Sequence, residues 1–112
     1  MQRQGILVAP LAGGIARLCA EAEAAARAGI VVLLLSDRYP VPGRPMVHAL
    51  LATGAIHHHL CQAGLRCDVN LIIETGTARD AHHMACLLGF GATAVYPYLS
   101  YQTLFDLGRR GI

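Results

Sequence analysis

Apolar positions along the chain fall into two alternating rhythms. In "LAGGIARLCAEAEAAARAG" (11–29), Leu11, Ile15, Leu18, Ala22 and Ala25 recur every three or four residues and the run closes on Gly29, which predicts a helix. Directly after it, "IVVLLLSD" (30–37) is a continuous β-branched and leucine run, the pattern of a strand buried on both faces in a covered parallel sheet. "RYPVPGRP" (38–45) has three prolines and a glycine and reads as a loop, with Pro45 suited to the first turn of a helix that extends to about Ala63 and stops at Gly64. The two rhythms then repeat: a strand over "VNLIIET" (69–75), a turn at Gly76, a helix from about Asp80 to Leu88, a short strand "TAVYP" (93–97) and an amphipathic helix over 99–110.

The predicted order is therefore helix, strand, helix, strand, helix, strand, helix, with a short apolar piece after Arg3 leading into the first helix. Strands separated by helices require crossovers, so the class is α/β with a small parallel sheet of about three to four strands, resembling part of a barrel or an open α/β domain. Three clear strands are too few to close an eight-stranded barrel. The last unit runs to Gly111-Ile112 with no polar tail, which favours a fragment of something larger over a free-standing domain.

Composition narrows the class. A length of 112 residues with 54% hydrophobic content suits one domain with a real core and excludes disorder. The cationic side chains are nine arginines with no lysine, dispersed along the chain at a net charge of +2, so no footprint for nucleic acid exists. The longest apolar run, "GIVVLLL" (29–35), falls far short of the ~20 residues needed to span a bilayer. The N-terminal stretch has no cleavage pattern, and a cytoplasmic location is expected. Cys19, Cys61, Cys67 and Cys86 form no CxxC pair and read as small buried hydrophobes.

"GAIHHHLCQAG" (54–64) raises a metal site as a possibility. Successive residues turn by about 100° around a helix, so His57, His58 and His59 diverge and cannot grip one ion together. With Leu50 at the centre of the apolar face, His57 is expected to be partly buried beside Met46 and Cys61, and His59 to face solvent or a partner on the side of His48. His48 and His59 stand about 16 Å apart along the axis. A metal would need His57 or His58 to meet His82, His83 or a cysteine from another element; with no HExxH-like spacing, core or interface histidines are the favoured reading.

The strand ends carry more chemistry. "SDR" (36–38), "ETGTARD" (74–80) and "YPY" (96–98) place Asp37, Arg38, Glu74, Thr75, Arg79 and Tyr96 along the carboxyl edge of the sheet, where ligands of parallel α/β folds collect. Such a set could orient a small anionic metabolite through Arg38 and Arg79, or hold an ion-paired network against a neighbouring domain. Neither glycine pair suits a dinucleotide: "GFGATA" (89–94) precedes a strand, and "LAGGIA" (11–16) has no strong strand before it.

The segments "LCAEAEAAARAG", "LLLSDR", "ATGAIHHHL", "GLRCDVNLIIETGTARDAHH" and "CLLGFGATAVYPYLSYQTL", in this order from about Leu18 to Leu104, closely resemble the central domain of the large subunit of bacterial glutamate synthase. The resemblance implies an enzyme that releases ammonia from glutamine, passes it through an internal path to 2-oxoglutarate, and reduces the product to glutamate with electrons from NADPH through an iron–sulfur cluster and FMN. It implies amidotransferase and FMN-barrel domains as partners. It carries no catalytic or cofactor residue over to this chain, which begins Met1-Gln2 rather than with a nucleophilic cysteine and lacks the close cysteine spacing of a cluster. The chain alone is expected to be inactive, to match the C-terminal portion of the central domain with 1–13 poorly matched, and to self-associate through uncovered apolar surface.

Overall fold

A five-residue run, "ILVAP", set between Gly5 and Leu11 opens the fold as a strand. In the computed structural model, which describes residues 5–111, the order is β1 (Ile6–Pro10), α1 (Ile15–Arg27), β2 (Val32–Ser36), α2 (Ala49–Gln62), β3 (Asn70–Glu74), α3 (Ala81–Gly89), β4 (Ala94–Tyr96) and α4 (Tyr98–Arg109), with a 3-10 turn at Arg66–Asp68. Residues 1–4 of the segment expected to match poorly, and Ile112 of the terminal pair, lie outside the described residues.

The α/β class inferred from the alternation is the one observed, with four parallel strands in the order β1-β2-β3-β4. Two expectations need correction. The apolar piece after Arg3 is an edge strand in register with β2, Ile6 opposite Val32 and Pro10 opposite Ser36. The first helix begins at Ile15, not Leu11, because Gly13 and Gly14 sit at φ 90° and 97°, where a right-handed helix cannot pass. A strand does therefore precede "LAGGIA".

Strand alternation sorts the sheet into two unlike faces. One face carries Ala9, Leu33, Leu35, Leu71 and Ile73, which join Leu18, Ala22 and Ala25 of α1, Ala52, Ile56 and Leu60 of α2 and Leu87 of α3 in one continuous core. The other face carries Ile6, Val8, Val32, Leu34, Ile72 and Ala94 in register, and among the described residues no helix lies across these positions, although Tyr101 of α4 packs on Tyr96 at its carboxyl end. Ile6 is 67% exposed and Val8 55%. The proline loop reaches only one corner, where Tyr39, Pro40 and Pro42 meet Val8, Pro10 and Ser36. Helix α4 buries no residue and leaves Leu104 and Phe105 open to solvent. The molecule is correspondingly elongated, with a radius of gyration of 14.8 Å against about 13 Å for a compact domain of this length.

Helix α2 departs from its expected placement. Residues 45–48 are not helical, and His48 serves as the amino-terminal cap, its Nδ1 accepting from the Leu50 amide at 3.2 Å. The buried face is Ala49, Ala52, Thr53, Ile56 and Leu60, about a quarter turn from the face centred on Leu50, and Leu51 is exposed. Small residues win this face because α1 presents Ala22, Ala25 and Ala26 to the same core and the two helices pack closely. No helix among the described residues is long and apolar enough to cross a membrane.

Candidate functional site

The carboxyl ends of β2 and β3 meet in two linked clusters. Ser36 donates to Glu74 Oε1 at 2.6 Å, and Arg38 Nη1 stands 3.4 Å from Glu74 Oε2. Beside this pair, Asp37 collects three donors: the Thr75 hydroxyl on Oδ2 at 2.6 Å, and the Gly76 amide at 3.1 Å and the Tyr98 hydroxyl at 2.8 Å on Oδ1. Thr75 has one hydroxyl proton and gives it to Asp37, so the 2.8 Å contact between the Thr75 and Thr77 hydroxyls is donated by Thr77. Arg38 completes the corner, its guanidinium 5.3 Å from the centre of the Tyr98 ring and 5.8 Å from that of Tyr39.

Tyr98 records this environment electrostatically. Partial burial, then its hydrogen bond to the Asp37 carboxylate, push its hydroxyl up to about 12. The phenol is held as a donor, and the network locks the first turn of α4 to β2 and to the turn after β3.

Of the six strand-end residues singled out in the sequence, Asp37, Arg38, Glu74 and Thr75 come together. Tyr96 stands opposite Glu74 in the same row of the sheet, but its ring turns to α4 and packs edge-to-face on Tyr101 at 5.4 Å instead of entering the hydrogen-bonded cluster. Arg79 also stands apart, beyond the Gly76–Ala78 turn, in a cleft between α2 and α3. Arg38, expected to be free for a ligand, is engaged by Glu74. Ser36 and Tyr98 were missed; the signal was the alternation itself, which puts Ser36 in the same row as Glu74.

The histidines take separate roles. His57 Nδ1 accepts from Arg66 Nε at 3.0 Å, while the same guanidinium donates to the carbonyls of Val69 at 2.6 Å and Gly91 at 2.7 Å. This Arg66 hub ties α2, the entry to β3 and the turn before β4 together at the amino edge of the sheet. His59 Nε2 lies 2.8 Å from Glu23, linking α2 to α1, and Glu23 is lowered below the usual carboxylate range first by its hydrogen bond to Arg27 and then by His59. His57 and His59 thus flank the buried face on opposite sides, and His58 points away from it, exposed. His82 pairs with Cys86 at 3.7 Å, and His83 Nδ1 accepts the Arg79 amide at 3.1 Å. Among the described residues no three His, Cys, Asp or Glu side chains converge on a point that could hold a metal ion, and the donor set does not fit an iron–sulfur cluster.

This arrangement, a helix-backed parallel sheet with a tied-down carboxyl edge, can be set beside known proteins. A family model described as the glutamate synthase central domain matches residues 2–112, a range that includes the stretch before Gly14. The chain belongs to the glutamate synthase central-domain family. Its relatives include a ferredoxin-dependent glutamate synthase 2 of Arabidopsis thaliana chloroplasts, 47% identical over 92 residues, which are 80% of this chain and 6% of that protein. The NADH glutamate synthase of Schizosaccharomyces pombe is 45% identical over 92% of this chain and 5% of its own length. The large chain of the Bacillus subtilis NADPH glutamate synthase is 42% identical over 88% and 7%. Plant and yeast members are thus as similar as the bacterial one, so the family is shown without singling out the bacterial form. This chain spans only about one-twentieth of the length of these relatives.

Proposed function

We propose that this chain is a non-catalytic segment of a glutamate synthase, holding a glutamine-hydrolysing domain and an FMN-containing synthase domain in register and helping to wall the path of ammonia between them. The observation that carries this reading is the uncovered face of an all-parallel sheet. Strands of this kind are normally covered on both faces, and Ile6, Val8, Leu34 and Ile72 form an apolar floor that nothing in the described residues roofs. Helix α4, anchored at its amino end by Tyr98 on Asp37 and Ser100 on the Ala78 carbonyl, offers the exposed Leu104 and Phe105 further along as contact surface. The roof belongs to neighbouring domains of the parent enzyme.

The residues support a structural part in the reaction. The strand-end carboxylates are consumed by internal donors, which makes them poor candidates for proton transfer. The resemblance assigns FMN, the iron–sulfur cluster and NADPH to other parts of the parent, and the cysteines described here do not converge as a cluster would require. All four cysteines are free, which suits a reducing compartment such as the cytoplasm; only Cys19 is buried, and Cys61 and Cys67 are exposed, contrary to the expectation of small buried hydrophobes. When the face is bared by isolating the chain, it associates with other copies.

The test is coupling in the parent enzyme. Val8→Lys together with Leu34→Lys places two charges under the missing roof; glutamine hydrolysis is expected to persist while glutamate formation from glutamine falls and formation from added ammonium is retained. Tight coupling in that double variant overturns the positioning role.

A further inference from the structure

We propose that the cleft between the first turns of α2 and α3 binds a small organic carboxylate with a short apolar stem. The cleft has a volume of about 550 Å³, within the range of small-molecule sites, and its walls include His48, Arg79, His82 and His83 with Leu50 and Leu87.

The hydrogen bonds around the cleft fix what it can offer. His48 Nδ1 accepts the Leu50 amide and His83 Nδ1 accepts the Arg79 amide, so each neutral imidazole carries its proton on Nε2 and presents a donor. The Arg79 guanidinium makes no hydrogen bond or ion pair among the described residues, in contrast to Arg17, Arg27, Arg38 and Arg66, which are spent on carboxylates or carbonyls. No carboxylate lines the cleft. Asp80 caps α3 by accepting the His83 amide at 2.9 Å, and the same Oδ1 stands 3.5 Å from His83 Nδ1, on the side of the ring away from its Nε2. The lining therefore offers a planar five-donor fork and two imidazole N–H groups against leucine walls. An anion with two coplanar oxygens meets the fork, and its carbon stem meets Leu50 and Leu87. A fully oxygenated anion such as phosphate would leave polar oxygens against leucine.

Every residue named in this site belongs to this chain and none lies on the open face of the sheet, so its failure would leave the positioning role untouched. Isothermal titration of the purified protein with succinate is expected to show saturable binding that weakens about tenfold or more in Arg79→Gln, the loss of a charge-assisted bidentate contact. His48→Asn keeps a capping acceptor for the Leu50 amide but removes the Nε2 donor, and is expected to weaken succinate about threefold. A thermal melt confirms that each variant is folded; should Arg79→Gln fail to fold, His48→Asn decides. No saturable heat with succinate, an affinity unchanged in the folded variants, or inorganic phosphate binding as tightly as succinate would each overturn the proposal.

Discussion

Ile72 and Ile73 are consecutive residues of one strand with the same side chain, yet one is half-buried and the other fully buried. Ile73 is fully buried under the helices, whereas Ile72 looks out from the open face beside Leu34 and Val8. The strand carries no alternation of polarity to match this difference. A parallel sheet normally reads apolar on both faces because both are covered, so a sequence that spends isoleucine and leucine on an open face is written for a roof that lies outside these residues.

That contrast yields the largest expected effect. Ile73→Ala removes a packed side chain and is expected to cost about 2–5 kcal/mol, while Ile72→Ala is expected to cost about 1 kcal/mol, in keeping with partial burial. Urea denaturation of both variants at a concentration where the chain is monomeric measures the difference. Equal losses would mean that the open face is covered in solution.

The amino edge supplies the next largest. Gly91 has φ 125° and a Cβ there would overlap the His57 ring, which cannot swing away without releasing Arg66. Gly91→Ala is expected to cost about 1–3 kcal/mol from backbone strain and the displaced ring. His57→Ala in the same background removes the obstacle and is expected to recover part of that loss; full additivity of the two substitutions would show that ring and glycine are not in contact.

How much of this could be read in advance depended on how loudly each residue speaks. β2 and β3 were legible because unbroken runs such as "VLLLS" and "NLIIE" have one reading between turn signals. β1 was not, because Leu11 and Ala12 continue its hydrophobicity into α1 and only the geometry of Gly13 and Gly14 separates them. The face of α2 was misplaced because large residues dominate a hydrophobic pattern, whereas close packing against the alanines of α1 selects Ala49, Ala52 and Thr53. At the candidate site, Asp37, Arg38 and Glu74 were legible as polar residues closing apolar strands. Tyr98 was not, since its partner lies 61 positions away and only tertiary folding brings them together. Arg79 separated from that set because it follows a turn, and Tyr96, although opposite Glu74 in register, because its ring packs on Tyr101 of α4.

A smaller effect sharpens the role of that carboxyl edge. Tyr98→Phe removes a hydrogen bond to a carboxylate that is partly open to water and is expected to cost about 1 kcal/mol at neutral pH. Its folded-state value, about 12, lies above the usual 10, so the neutral phenol is the stabilised form. The contribution is complete below pH 10 and is lost as pH rises towards 12. The gap in urea midpoint between wild type and Tyr98→Phe is expected to be constant from pH 7 to 9 and to close over the next three units. A gap that persists at pH 12 would mean that Asp37 does not hold the phenol.

The smallest change in stability carries the sharpest test of the two faces. Val8 is 55% exposed on the edge strand, so Val8→Lys is expected to shift unfolding by no more than about 0.5 kcal/mol. Its effect on association is expected to be far larger, because a lysine on the Ile6, Val8, Leu34 and Ile72 floor sets a charge where a second copy would have to exclude water. Sedimentation of the isolated chain is expected to change from a self-associating species to a monomer with the same urea midpoint. If the unmodified chain is already a monomer at high concentration, the open face is no more adhesive than ordinary surface, and the contrast between Ile72 and Ile73 is then one of burial alone.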